Sequence, residues 1–147
     1  MIIRKASKDD LNELCLIQNE CFLEPWKKED ILYEIEKNPV NVFLVATLDN
    51  KIIGYLDYIV TFNSSSIVQI AVLKSFRSKG IASLLLQKMI SLLPSDGEEK
   101  VEFITLEVRK SNMAALALYQ KHGFEIICLK PHYYKNGEDA IYMVKRM

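Results

Sequence analysis

The spacing of apolar and polar residues changes repeatedly along this chain, and each change marks an element. Ile2 to Lys5 reads as a short strand. Ser7, followed three residues later by Asp10, reads as a helix cap, and Leu11, Leu14, Cys15, Gln18, Cys21 and Phe22 follow at helical spacing. Pro25 stops that helix, and a second one is expected from Lys27 to Lys37, before Asn38-Pro39. Val42 to Leu48 and Ile52 to Thr61 are strand-like runs joined by Asp49-Asn50-Lys51, close enough to form a hairpin. A turn at Asn63-Ser64-Ser65-Ser66 then leads into a strand over Ile67 to Leu73. Gly80 to Leu93 has helical period, with Ile81, Leu84, Leu85, Met89 and Leu92 expected to face inward. Val101 to Val108 is strand-like, and a helix follows from Asn112 to about His122. Two strands, Phe124 to Leu129 and Ala140 to Lys145, flank a loop containing Asn136-Gly137.

The order is β-α-α-β-β-β-α-β-α-β-β. A three-strand antiparallel meander leads into a βαβ unit, whose right-handed crossover makes two strands parallel. The expected fold is α/β (α+β): a mixed, mostly antiparallel seven-stranded sheet with helices on both faces. Pro94 to Lys100 is the loosest stretch and is too short to separate two domains, so a single domain is expected over residues 1–147.

Composition narrows the function. Half the 147 residues are hydrophobic and 26% are charged, the balance of an ordinary globular chain. Nineteen basic residues against nineteen acidic ones give no net charge, which excludes a basic nucleic-acid surface over the whole domain. No apolar run approaches the length of a membrane span, so neither nucleic acid nor membrane is an expected partner. The early charges of M-I-I-R-K leave no secretory h-region, which points to a cytoplasmic protein. Cys15, Cys21 and Cys128 form no C-x-x-C pair and read as reduced, buried thiols, with Cys128 packed in its strand. His122 and His132 have no partner at metal-ligand spacing, so no metal is expected. His122, close to a helix end, reads as structural.

Two segments carry candidate chemistry. Ile70 to Ser83 is a strand, a short turn with Lys74, Arg77 and Lys79, and a helix opening at Gly80. Helix starts present unpaired N–H groups that seat phosphate, and Gly80 leaves room for close approach. On these residues alone, a phosphate seat and an ordinary basic loop stand level. In the second segment, Leu106 to Phe124, strand alternation separates Leu106 and Val108 from Glu107 and Arg109. Ser111 is positioned to cap the following helix, on which Asn112 and Tyr119 share a face. A strand carboxylate and a helix phenol can work as base and acid. Most single carboxylates and tyrosines are structural, and the residues alone favour that reading.

Three motifs add to this: R-x-x-G-I-A at Arg77 to Ala82, L-E-V-R-x-S-N at Leu106 to Asn112, and L-Y-x-x-x-G-F at Leu118 to Phe124. In this order they resemble the GNAT N-acetyltransferases over nearly the whole chain. Pro25-Trp26, L-E-V-R-x-S-N and Y-Y-x-x-G-E-D-A at Tyr133 to Ala140 are similar to the ribosomal-protein alanine N-acetyltransferase type within that superfamily. The resemblance implies acetyl-CoA as donor. Ile70, Ala71 and Val72 would offer backbone groups to the pantetheine arm. Arg77, Ser78, Lys79, Gly80, Ile81, Ala82 and Ser83 would hold the pyrophosphate, and Asn112 would contact the pantetheine region. Glu107 would be general base and Tyr119 general acid. Ala82 stands where many members have Gly, and Leu129-Lys130-Pro131-His132 stands where relatives often carry arginine; the second departure touches the substrate groove.

Trp26 either walls a peptide groove or packs the corner between the first two helices, and Tyr133 and Tyr134 suggest a substrate rim. The resemblance implies acetyl transfer to the N-terminal α-amine of a protein, an alanine-starting ribosomal protein by subfamily. Two alternatives stand beside it: transfer to a small amine or a lysine side chain, and a non-catalytic acetyl-CoA-binding module. A module that only binds needs neither Glu107 nor Tyr119.

Overall fold

A computed structural model describes residues 1–147. The strands are β1 (Ile2–Lys5), β2 (Asn41–Leu48), β3 (Lys51–Thr61), β4 (Ser64–Val72), β5 (Phe103–Arg109), β6 (Glu125–Lys130) and β7 (Ala140–Arg146). The helices are α1 (Leu11–Cys21), α2 (Lys28–Glu36), α3 (Ile81–Leu92) and α4 (Met113–Lys121), with single 3-10 turns at Lys8–Asp10 and Lys74–Phe76. The element order is the expected one. The strands form one mixed sheet in the order β1-β2-β3-β4-β5-β7-β6. Its β1–β2, β2–β3, β5–β7 and β6–β7 pairs are antiparallel, whereas β4 and β5 run parallel.

The chain forms two compact units, residues 1–60 with 68–93 and residues 61–67 with 94–147. In the first, Leu11, Leu14 and Ile17 of α1 and Ile31 of α2 are buried with Phe43 and Val45 of β2, Ile52 and Tyr55 of β3, and Ala71 of β4. The Phe43 and Tyr55 rings lie 5.1 Å apart at its centre. Asp10 accepts a hydrogen bond from the Ser7 amide at 2.8 Å and pairs with Arg4, also at 2.8 Å, so the expected cap also fastens β1. The β2–β3 turn sits on Asp49 and Asn50, both with positive φ, a conformation Asp and Asn tolerate better than most residues. Gly54 lets β3 approach β4, because a Cβ there would lie 2.9 Å from the Ala71 carbonyl oxygen.

Helix α3 corrects one expectation. Ile81, Leu85, Leu86 and Met89 are buried, while Leu84 and Leu92 are exposed. Leu84, Leu85 and Leu86 are consecutive, so hydrophobicity alone did not choose the inner face; Leu84 falls about a third of a turn off the buried stripe and Leu92 ends the helix.

The second unit corrects three more. The Ser64-Ser65-Ser66 run is strand, not turn: these residues pair with Phe103–Thr105 of β5, and the Ser66 and Thr105 hydroxyls lie 2.7 Å apart. The connection shrinks to Phe62-Asn63, with Phe62 at φ +48°. Helix α4 is capped by Asn112, whose Oδ1 accepts from the Ala115 amide at 3.1 Å, and not by Ser111. Cys128 is exposed instead of packed, because β6 ends the sheet order and Ile126, Ile127 and Leu129 beside it are uncovered too. Cys15 and Cys21 are half-buried, and all three thiols are free.

Candidate active site

Strand β5 displays its chemistry by strict alternation. Ile104, Leu106 and Val108 are buried, and Thr105, Glu107 and Arg109 are partly exposed on the opposite face. The Glu107 side chain is not alone there. Its Oε1 accepts from the Lys130 Nζ at 2.8 Å, and that ammonium lies 4.6 Å from the Tyr142 ring and 5.5 Å from the Tyr133 ring. The Glu107 carboxylate holds the Lys130 ammonium above the usual lysine range.

Arg109, two residues on, fastens the β6–β7 loop. Its guanidinium stacks 4.0 Å from the centre of the Tyr134 ring and donates to Glu138 Oε1 at 3.0 Å and Asn136 Oδ1 at 3.1 Å. Glu138 also accepts from the Ser111 amide at 2.9 Å. Asp139 accepts from the His132 amide at 3.0 Å, and its carbonyl from the Lys110 amide at 3.1 Å. The V-R-K-S and G-E-D-A segments, far apart in sequence, are therefore one hydrogen-bonded assembly. It holds the Tyr133 and Tyr134 rings edge to face, 5.0 Å apart.

Tyr119 is buried on α4, packed against Phe124 with ring centres 5.4 Å apart. Burial pushes its phenol well above the ordinary range, and the nearby Tyr134 pushes it the same way. Burial likewise pushes Tyr134 up to about 12, partly offset by Arg109 and reinforced by Tyr133, Glu107 and Glu138. Of the predicted proton-transfer and rim residues, Glu107, Tyr119, Tyr133 and Tyr134 thus share one electrostatic neighbourhood. Lys130, Arg109 and Glu138 were missed as its organisers. Asn112 stands exposed at the start of α4.

In the first unit, β4 ends in Ile70, Ala71 and Val72, and the chain turns into α3. Ser78 and Gly80 both take left-handed φ, +62° and +82°. This alternation makes backbone N–H groups converge ahead of α3. The space a Cβ would take at Gly80 is open. Arg77 does something the sequence did not suggest. Its guanidinium donates to the Val72 carbonyl oxygen at 2.9 Å and approaches Cys21 Sγ at 3.5 Å, pinning the strand end to α1. Lys79 lies 5.5 Å from the Phe76 ring. Ser78, Lys79 and Gly80 are exposed, and Ile81 begins the buried face of α3, followed by the half-buried Ala82 and Ser83.

Trp26, with Asp30, Tyr33 and Glu34, lines a cavity of about 240 Å³ beside α2. The Trp26 amide donates to Gln18 Oε1 at 3.0 Å. Gln18 is buried and donates to the Tyr55 hydroxyl at 2.8 Å and to Gln69 Oε1 at 2.5 Å, so it sets where the α1–α2 corner turns. Its signal was a glutamine standing in an apolar helical stripe. No three His, Cys, Asp or Glu side chains are grouped to hold a metal ion, and no helix is long and apolar enough to cross a membrane.

Residues 11–124 match the acetyltransferase (GNAT) family, and the chain belongs to that family as an N-acetyltransferase. An uncharacterised N-acetyltransferase of Methanocaldococcus jannaschii is 36% identical over 99% of this chain and 92% of its own length. An N-alpha-acetyltransferase of Saccharolobus solfataricus is 32% identical over 97% and 91%. The crystal structure of the ribosomal-protein-S18-alanine N-acetyltransferase from Escherichia coli superposes with a TM-score of 0.87 at 27% identity, covering 99% of this chain and 92% of that one.

Proposed function

We propose that this protein moves the acetyl group of acetyl-CoA to the N-terminal α-amine of a protein, with an alanine-starting ribosomal protein as acceptor and the cytoplasm as the place of reaction. The observation that carries the reading is the partly exposed Glu107 carboxylate in an ordered rim of tyrosines. Similarity to an N-alpha-acetyltransferase and to an S18-alanine enzyme supports the acceptor. The backbone at Ser78 and Gly80, with open space at the glycine, suits a pyrophosphate, and Ile70–Val72 would offer backbone groups to the pantetheine arm.

An α-amine has a pKa near 8 and is mostly protonated at neutral pH. Glu107 takes that proton, directly or through a water, and leaves a nucleophile. Bound acetyl-CoA supplies an acetyl thioester: the N–C bond forms, the C–S bond of the tetrahedral adduct breaks, and the nitrogen's second proton leaves to solvent, balancing the one given to the sulfur. A backbone N–H of Ile70–Val72 would face the developing oxyanion. The phenol of Tyr119, kept protonated by its burial, holds the proton that the departing sulfur needs. Trp26, Tyr133 and Tyr134 would flank the acceptor chain.

The test is acetylation of two peptides, one with a free N-terminal alanine and one with a blocked N-terminus and an internal lysine, read by mass spectrometry. Product on the free α-amine alone is expected. Equal labelling of the blocked peptide would move the acceptor to lysine side chains, and no labelling of either with acetyl-CoA bound would favour a binding module.

A further inference from the structure

We infer that Lys130 is a positioning residue for Glu107, holding one carboxylate oxygen so that the other faces the acceptor amine. The inference rests on the reading of Glu107 as base. Strand β7 lies between β5 and β6, so Lys130 belongs to a strand two places from Glu107, about 9–10 Å away at ordinary strand spacing. Glu107 pairs with Tyr142, and Tyr142 with Cys128, so these three form a row across the sheet. Lys130 stands two residues from Cys128 on the same face. Its Nζ nevertheless reaches Glu107 Oε1 at 2.8 Å, lying 4.6 Å from the intervening Tyr142 ring and 5.5 Å from Tyr133. A lysine stem is long enough for this span, and an ammonium flanked by two rings is restrained by both.

The pair has little to do with stability. Its side chains are 39% and 27% exposed, and ion pairs so placed add little. Its effect falls on orientation instead. Glu107 hangs on three rotatable bonds, and the β7 residue it pairs with is a tyrosine. Fixing Oε1 leaves Oε2 as the oxygen that accepts the proton, and misplacing a reacting group by an ångström can cost a hundredfold in rate.

Four variants test this with acetyl-CoA and the free N-terminal alanine peptide: Lys130→Met, Lys130→Arg, Glu107→Gln and the Met/Gln double variant. Lys130→Met should lower kcat roughly 30-fold, with KM for acetyl-CoA changed less than about twofold. Lys130→Arg, which can reach the same oxygen, should restore most of the loss. In the Glu107→Gln background Lys130→Met should add almost nothing, because its effect passes through the carboxylate. Full activity of Lys130→Met, a rise in kcat, or the same 30-fold loss in both backgrounds would overturn the inference and leave the base reading standing. Unchanged kcat in Glu107→Gln would overturn the base reading, and this inference with it.

Discussion

The alternation of β5 placed Leu106 and Val108 inside and Glu107 outside, because strand period is local information. That Lys130 would reach Glu107, or that Glu138 would join Arg109 to Ser111, was not legible, since the first depends on β5–β7 and β6–β7 pairing and the second on β5–β7 pairing, which no short pattern encodes. Tyr119 shows the limit from the other side. Shared spacing with Asn112 made it a candidate, but its burial and its neighbour Tyr134 decide its chemistry. A phenol held above its ordinary range stays protonated throughout the neutral range, so its proton is available to a departing thiolate. Tyr119→Phe keeps the ring against Phe124 and removes only the hydroxyl. It should lower kcat by ~10²-fold, with coenzyme A affinity and the melting midpoint nearly unchanged. Steady-state kinetics beside calorimetric titration with coenzyme A decides this; a loss of affinity without a loss of turnover would make Tyr119 a binding residue.

The elements follow the sequence pattern in type and order, and they depart from it where a neighbour outside the local pattern chose the state. Serines at 64–66 became strand because β5 lies beside them, and the leucine run in α3 could not reveal which of its faces is covered. The turn before α3 is the element boundary on which the proposed coenzyme A binding rests. Gly80 is the helix N-cap at φ +82°, a conformation costly for a β-branched residue and tolerated by asparagine. Gly80→Val should therefore lower the melting midpoint and weaken coenzyme A binding together, whereas Gly80→Asn should largely preserve both. Arg77→Ala should lower the midpoint as well, since it unpins the Val72 carbonyl, and Lys79→Ala should change little. Melting curves with and without coenzyme A separate these outcomes. If Lys79→Ala weakened binding as much as Gly80→Val, side-chain charge and not backbone shape would hold the pyrophosphate.

The stability of the whole molecule should carry the mark of one buried group that the proposed chemistry does not use. Asp57 of β3 is fully buried; the Asn41 amide donates to its Oδ1, while its Oδ2 has no partner. Burial pushes its carboxyl up to about 7, opposed by the Asn41 hydrogen bond and reinforced by Glu34. An unfolded aspartate titrates near 3.9, so the folded state binds this proton more tightly. The contribution is fully present below about pH 4 and is lost as pH rises through 7. Asp10 and Glu138 act in the opposite direction: Arg4 holds the first, and hydrogen bonding from the Ser111 side chain and amide the second, below the carboxylate range, so their contributions are lost as the medium becomes acidic. His122, lowered by burial, also favours the fold as pH rises through its range. With no formal net charge at pH 7, general charge repulsion adds little to this balance. The melting midpoint should therefore peak in mildly acid solution and fall by at least roughly 5 °C between pH 5 and pH 8. Asp57→Asn keeps the size of the side chain and removes its charge, so the fall should disappear and give way to the shallow rise left by His122. Thermal melts of both proteins at half-unit pH intervals provide the measurement. An equal fall in the variant would mean that Asp57 is not the group that titrates.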